Sequence, residues 1–346
     1  MKKWLLRLSR VEITLLFLVI LAGSIVRTTG SGMGCPDWPK CFGHLIPPTE
    51  RSELEWKPNY PYQKDQIIIC QEALYQARND FSTGQQYDEQ NWEAYTKHDY
   101  AHFNAQHTWI EYLNRLLGAL SGLPMLVLVG LSLFYWRKDR RPLLLSLAGL
   151  FMLGFEAWLG KLVVDGNLIP GSITIHMFGA MLIMAIMLVL HGLVSQERLQ
   201  ATYFTPRLRL LLQVLLGLVL LQILLGTQVR EQIDAFVKMN LPRDSWMQQV
   251  DWVFYVHRSG SLLVAGLAAW LFYQNKRRRL GFPELWPVLL LVGAEILLGI
   301  ILAYFDLPHW SQPLHLLFGI GLFAFCWQAL VHHYLAPQHQ IIPVSS

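Results

Sequence analysis

Eight stretches of the chain, at about 11–28, 109–136, 143–164, 171–194, 208–229, 252–274, 285–305 and 312–334, are apolar over roughly the 20 residues that a helix needs to cross about 30 Å of hydrocarbon. No other feature restricts the fold so much, because a peptide in lipid must satisfy its own backbone hydrogen bonds. The composition agrees, since 53% of the 346 residues are hydrophobic and only 15% are charged, too apolar a balance for a soluble domain of this length. The chain is therefore expected to be an all-α integral membrane protein with eight transmembrane helices.

The basic residues set its orientation. MKKWLLRLSR at the N-terminus, WRKDRRP at 136–142, the link holding Arg198, Arg207 and Arg209, and NKRRR at 275–279 all fall on one side of an eight-span chain. By the positive-inside rule that side is cytoplasmic, so both termini are expected in the cytoplasm of a bacterial-type inner membrane. The opposite side carries the short links VVDGNLIPG and YFDLPHW, which lack Lys and Arg, and a long acidic segment from about 29 to 108. The first apolar run leads into GSIVRTTGSGMG rather than a small-residue cleavage site, so no cleavable signal peptide is expected. The net charge of +4 follows from the inside bias and calls for no nucleic-acid partner.

Four cysteines are present. Cys35 and Cys41, in CPDWPKC, lie just outside the first helix on the side where disulfides persist, and their spacing suits a small disulfide loop. A metal site is the rival, but two cysteines without nearby His make poor zinc ligation. Cys326 reads as a packing residue, and Cys70 has no evident partner in sequence.

The chain repeats itself. GSIVR at 23–27 matches GTQVR at 226–230, and WIEYLNRLLGAL at 109–120 matches WVFYVHRSGSLL at 252–263. Glu156, Leu159 and Gly160 recur 139 residues later as Glu295, Leu298 and Gly299, and His176 recurs at the same offset as His315. Two pseudo-symmetric four-helix bundles are expected. The first outer loop has 60 residues more than its counterpart, an excess within 44–108 expected to form a cap of unassigned secondary structure.

His176, His257 and His315 all fall near outer helix ends, at one depth. Ionisable residues in spans are rare and usually functional, and facing bundle helices are where heme and metal ligands are built. His257 and His315 are placed to face each other, and two neutral imidazoles suit six-coordinate heme iron. The bland reading of each is a hydrogen bond to a neighbouring helix, which the repeated placement weakens. Arg27, Arg115, Arg230 and Arg258 occupy matched positions and suit heme propionates, with snorkelling as the alternative. His191, His332 and His333 lack repeat partners and read as interfacial.

The first half departs from the second at two positions. Asn114 stands in place of His257 and Glu111 in place of Phe254, so a bis-histidine site is not available there from matched positions. Weaker or single-histidine ligation beside a carboxylate one helical turn away suits a substrate site better than an electron store. His107 is a minority candidate for the missing ligand. The bland reading of Glu111 is an i,i+4 ion pair with Arg115, but Phe254 leaves Arg258 without any such acid. Glu156 and Glu295 recur in both halves, which favours a shared structural role.

GSIVRTTGSGMGCPDWPKCFG, EYLNR, EAWLGKLVVDG followed by His176, and YVHR followed by LPHWSQPLH resemble the heme A synthase family over nearly all of 11–334. The resemblance implies oxidation of a heme O methyl to a formyl group by successive hydroxylations, giving heme A for cytochrome oxidase. It implies an N-terminal half, 1–195, with the substrate heme and the long outer loop, and a C-terminal half, 196–346, with a heme b cofactor. Carried over by position, His257 and His315 ligate that cofactor beside Arg258. Glu111 is the catalytic carboxylate, and His176, Asn114 and Arg115 belong to the substrate heme. Cys35 and Cys41 form a redox-active or structural pair. Asn114 departs from the family pattern, where a histidine is usual, and the second half lacks a Cys pair. Implied partners are heme O, an electron acceptor of unknown identity, heme O synthase, cytochrome oxidase assembly factors and the lipid bilayer; the sequence leaves open whether the chain forms a homo-oligomer. The rival is a non-enzymatic heme carrier or a b-type cytochrome that passes electrons to quinone, although a plain carrier would be expected to keep matched ligand pairs in both halves.

Overall fold

Each apolar run folds as a helix. The computed structural model describes residues 1–96, 103–165, 171–195, 202–336 and 338–340, so part of the VVDGNLIPG link, Arg198 and residues 97–102 of the first outer loop lie outside the described residues. The helices are α1 (Lys2–Thr29), α2 (Ala105–Tyr135), α3 (Arg141–Asp165), α4 (Ser172–Ser195), α5 (Pro206–Lys238), a short α6 (Trp246–Gln249), α7 (Trp252–Arg278), α8 (Leu285–Tyr304) and α9 (Ser311–Leu335). Among the described residues seven of these, all the long ones except α7, are long and apolar enough to cross a membrane. α7 has 27 residues, but His257 and Arg258 near its start and Lys276, Arg277 and Arg278 in its last turn reduce its hydropathy.

Local chemistry sets the ends. Thr205 accepts a hydrogen bond from the Leu208 amide with Pro206 opening α5, and Asp251 accepts one from the Val253 amide at the start of α7. The Asn275 side chain both donates to the Phe282 carbonyl and accepts from its amide, which fastens the basic turn between α7 and α8. Pro124 sits inside α2, a position tolerated in spanning helices where neighbours satisfy the freed backbone group.

The described residues form two compact units. One comprises Met1–Leu21, Leu120–Glu156 and Thr174–Ser346. Its core is aliphatic and methionine-rich, with Met125, Met184, Met187, Leu215, Leu271 and Ile320 buried, while Phe134, Leu262, Leu263 and Leu297 remain exposed on the helices, as expected of surface that meets lipid. The histidines read from sequence as interfacial turn out to join helices. His332 is 2% exposed with Nδ1 2.8 Å from Glu284 Oε1, and His333 is buried beside it. His191 Nδ1 lies 2.9 Å from the Ser9 hydroxyl, tying α4 to α1.

The other unit comprises Ala22–Ala119 and Ala157–Ile173, and it settles the secondary structure that the sequence left unassigned in 44–108 for the described residues. Its loop folds into two small antiparallel sheets. β1 (Pro61–Tyr62) pairs with β4 (Phe81–Ser82), and β2 (Ile67–Cys70), β3 (Ala73–Ala77) and β5 (Trp92–Ala94) form the order β2-β3-β5. The turn between β2 and β3 is Gln71-Glu72, both at positive φ, as a two-residue hairpin demands. Alternation along β2 puts Ile67 and Ile69 into one small core with Phe42, Leu54 and Leu74, and Ile68 into another with Tyr62, Ala77 and Trp92. β6 (Thr202–Phe204) and β7 (Gln338–Gln340) make a separate parallel pair.

Candidate functional site

Of the three histidines selected from the sequence, two lie close together. In the helical unit His257, from the second turn of α7, and His315, from the second turn of α9, have ring centres 6.3 Å apart and planes at 87°. A metal–imidazole bond of about 2 Å on each side, plus about 1.1 Å from nitrogen to ring centre, requires about 6.2 Å between the centres. The pair therefore fits one iron between two imidazoles. Among the described residues no group of three or more His, Cys, Asp or Glu is placed to hold a bare metal ion.

Each ring is set by its surroundings. His315 Nδ1 lies 2.9 Å from Glu295 Oε2 on α8, which leaves Nε2 outside that contact. His257 packs against Gly226 of α5, where an added Cβ would stand 3.2 Å from Cε1. Arg258 is exposed, with its guanidinium 5.7 Å from the Phe254 ring centre and 5.4 Å from that of Tyr255. Arg230 pairs with Asp234 at 2.9 Å and donates to Gln312.

His176 repeats the arrangement of His315. Its Nδ1 is 2.6 Å from Glu156 Oε2 on α3. A Cβ at Gly179 would come within 1.6 Å of Glu156 Oε1, so a larger residue there would require the glutamate side chain to move; a Cβ at Gly319 would stand 3.8 Å from Glu295 Oε2. Glu156 and Glu295 thus have the shared structural role read from their recurrence, and the structure adds what that role is. The signal was a 20-residue interval from glutamate to histidine in both halves. Glu295→Gln is expected to weaken heme retention about 10–100-fold and to raise the reduction potential, since the imidazole loses an anionic partner. A redox titration of the purified protein checks this; an unchanged potential and heme content would remove Glu295 from the site.

The unit that contains the outer loop holds the other set. Glu111, 3% exposed on α2, accepts the Cys35 amide at Oε2 (2.8 Å) and Arg115 at Oε1 (2.5 Å). Arg115 also donates to the carbonyls of Asp37 (2.6 Å), Lys40 (3.2 Å) and Cys35 (3.4 Å), so it is committed to the loop that Cys35 and Cys41 close by a disulfide. The Thr108 hydroxyl donates to the Gly34 carbonyl (2.8 Å), and Tyr95 to that of Pro36. Asp37 takes the amides of Phe42 and Gly43; burial raises its carboxyl above the ordinary range against the lowering effect of those amides and of Arg115. The ion pair weighed as a bland reading of Glu111 is therefore present, and it forms part of a larger clamp. The two carboxylate oxygens retain lone pairs beyond these contacts. Asn114 packs against Gly23, where an added Cβ would stand 3.7 Å from Oδ1, as His257 packs against Gly226, and among the described residues that buried Oδ1 has no hydrogen-bond partner. His107 contributes its amide to Asn104 at the start of α2.

Comparison with known proteins gives one consistent result. A family described as cytochrome oxidase assembly protein, COX15-CtaA, matches residues 6–73 and 66–327. A protein named heme A synthase from Shewanella oneidensis is 26% identical over 256 residues, covering 71% of this chain and 63% of that protein, so less than two thirds of its length is matched. Heme A synthases from Flavobacterium psychrophilum and Agrobacterium fabrum are 23% and 28% identical, covering 87% and 95% of this chain and 89% and 90% of their own lengths.

Proposed function

The chain belongs to the COX15-CtaA family of cytochrome oxidase assembly proteins, and on that premise we propose that it is a heme A synthase, an oxidoreductase that converts a methyl group of heme O to the formyl group of heme A. The observation that carries the reading is the inequality of two otherwise matching helix starts. YVHR on α7 brings His257 to 6.3 Å from His315, whereas EYLNR on α2 offers Asn114 and a buried carboxylate one turn before it.

In this reading all eight long helices span the bacterial inner membrane as two pseudo-symmetric four-helix halves, 1–195 and 196–346, with both termini cytoplasmic. The recurrence of Gly23 with Asn114 as Gly226 with His257, and of Glu156 with His176 as Glu295 with His315, supports the symmetry. A heme b would be held by His257 and His315 and would supply one-electron transfer. Arg258 lies beside His257 in sequence and is assigned to that half. His176 is assigned as a ligand to the substrate iron on the pattern of His315, with Asn114 and Arg115 on the substrate side.

Conversion of a methyl to a formyl group takes two hydroxylations, after which the gem-diol loses water. Each oxidation removes a proton from the carbon, and Glu111 is the group assigned to accept it or to orient water. Its oxygens are fixed by the Cys35 amide and Arg115, so the carboxylate does not have to be ordered during reaction. Electrons leave to an acceptor that the chain does not itself provide.

Pigments bound by the protein when it is produced beside a source of heme O test the reading. Heme A, or its hydroxylated precursor, is expected; heme B and heme O alone would favour a carrier.

A further inference from the structure

Within the helical unit, α4, α5 and α9 leave a half-open groove of about 460 Å³ between them. Val189 of α4, Gln213 and Leu216 of α5, and Trp327, Leu330 and Tyr334 of α9 line it. Two contacts between α4 and α9 fix its walls. The Trp327 indole donates to the Ala185 carbonyl at 3.0 Å, and an added Cβ at Gly192 would stand 2.6 Å from Val331 Cγ1. Ala185 and Gly192 lie on either side of Val189, so the groove sits between two levels at which these helices are pinned together.

The groove is graded in polarity. Leu216, Trp327 and Leu330 line its deeper part, and Gln213 and Tyr334 lie nearer the end where α5 starts and α9 stops. Arg209 precedes Gln213 by one helical turn on the same face, and Arg207 lies two residues before it. Arg209 is close enough to His333, in the last turn of α9, for their charges to interact. Glu284, just before α8, is turned to His332, which it meets at 2.8 Å. The matching place in the first half is built differently. Leu330 corresponds to His191, 139 residues earlier, and Leu212 to Ser9, 203 residues earlier, and His191 Nδ1 and Ser9 Oγ meet at 2.9 Å to join α4 to α1. With leucine at both positions, the second half cannot make that bond.

We propose that the groove binds an anionic phospholipid, with one acyl chain against Leu216, Trp327 and Leu330 and the phosphate on Arg207 and Arg209. An apolar trough that ends in guanidinium groups matches both parts of such a molecule, and basic pockets between spanning helices are where anionic headgroups dock. Gln213 and Tyr334 lie between these two regions, at the level of the ester groups. The lipid ties α4 to α5 and so links the two sequence halves. The site is independent of the heme assignments.

The test uses full-length protein, delipidated in mild detergent and titrated with dioleoyl phosphatidylglycerol or dioleoyl phosphatidylcholine, with bound lipid counted by native mass spectrometry. Wild type is expected to bind the phosphatidylglycerol about 10–30-fold more tightly, the worth of two arginines at a membrane surface. Arg207→Gln with Arg209→Gln should bring the two lipids to parity. Val189→Phe, which fills the groove from α4 and keeps both arginines, should lose the tight site. A photoactivatable phosphatidylglycerol added to wild type needs no variant, and its crosslinks are expected within 185–192, 207–216 and 327–335. Equal binding of the two lipids by wild type, an unchanged preference in the double variant, tight phosphatidylglycerol binding by Val189→Phe, or crosslinks confined to other segments would each overturn the proposal while leaving the functional reading intact.

Discussion

Glu111→Gln is expected to lower heme A formation by about 10²–10⁴-fold, the usual worth of a positioned general acid or base, while the b-type heme spectrum stays that of wild type. The separation of the two readouts follows from the structure. Glu111 belongs to the loop-bearing unit with Cys35, Asp37 and Arg115, and the heme pair His257 and His315 belongs to the helical unit. Glutamine is nearly isosteric, and its carbonyl still accepts the Cys35 amide. What changes is the atom facing Arg115, where a donor replaces an acceptor, and the loss of a group able to take a proton. If the carboxylate only neutralises Arg115, the variant loses stability and keeps its turnover. Full conversion by a folded Glu111→Gln protein would remove Glu111 from the chemistry.

His315→Ala and His257→Ala are each expected to abolish the low-spin ferric signal and to cost the protein most of its heme B. Either change removes one of the two iron ligands. The loss at 315 carries a second penalty, because Glu295 is left in the bundle without the imidazole that it faces at 2.9 Å. His257→Ala opens space against Gly226 and leaves Glu295 paired, so it should damage the heme site while disturbing helix packing less. Electron paramagnetic resonance and pigment content of the two purified variants decide the matter. An unchanged low-spin spectrum in both would end the assignment of this pair as cofactor ligands.

The residues that a sequence declares by type were the easiest to place. Apolar length marked every long helix, α7 included, although its polar residues keep it below the hydropathy of the others. His257 and His315 were legible because they sit at one depth and because imidazoles in apolar helices have few uses. The strands of the outer loop were not. IIIC and ALYQA are short, and a strand of four or five residues inside a polar loop gains its identity from a partner strand that no local pattern names. Arg115 donates to three backbone carbonyls of the disulfide loop, partners whose residue types carry no trace of the contact in the sequence. His332 shows the same limit: a histidine at a helix end reads as interfacial until Glu284, 48 residues earlier, is found against it.

The division of labour between the halves is tested most directly by the pigment stoichiometry of wild type and Glu111→Gln, each purified from cells that make heme O. Wild type should contain heme B together with heme A or its hydroxylated precursor. Glu111→Gln should contain the same amount of heme B together with unoxidised heme O. A Glu111→Gln protein that carries heme A at the wild-type level, or a wild type that carries only heme B and heme O, would contradict it.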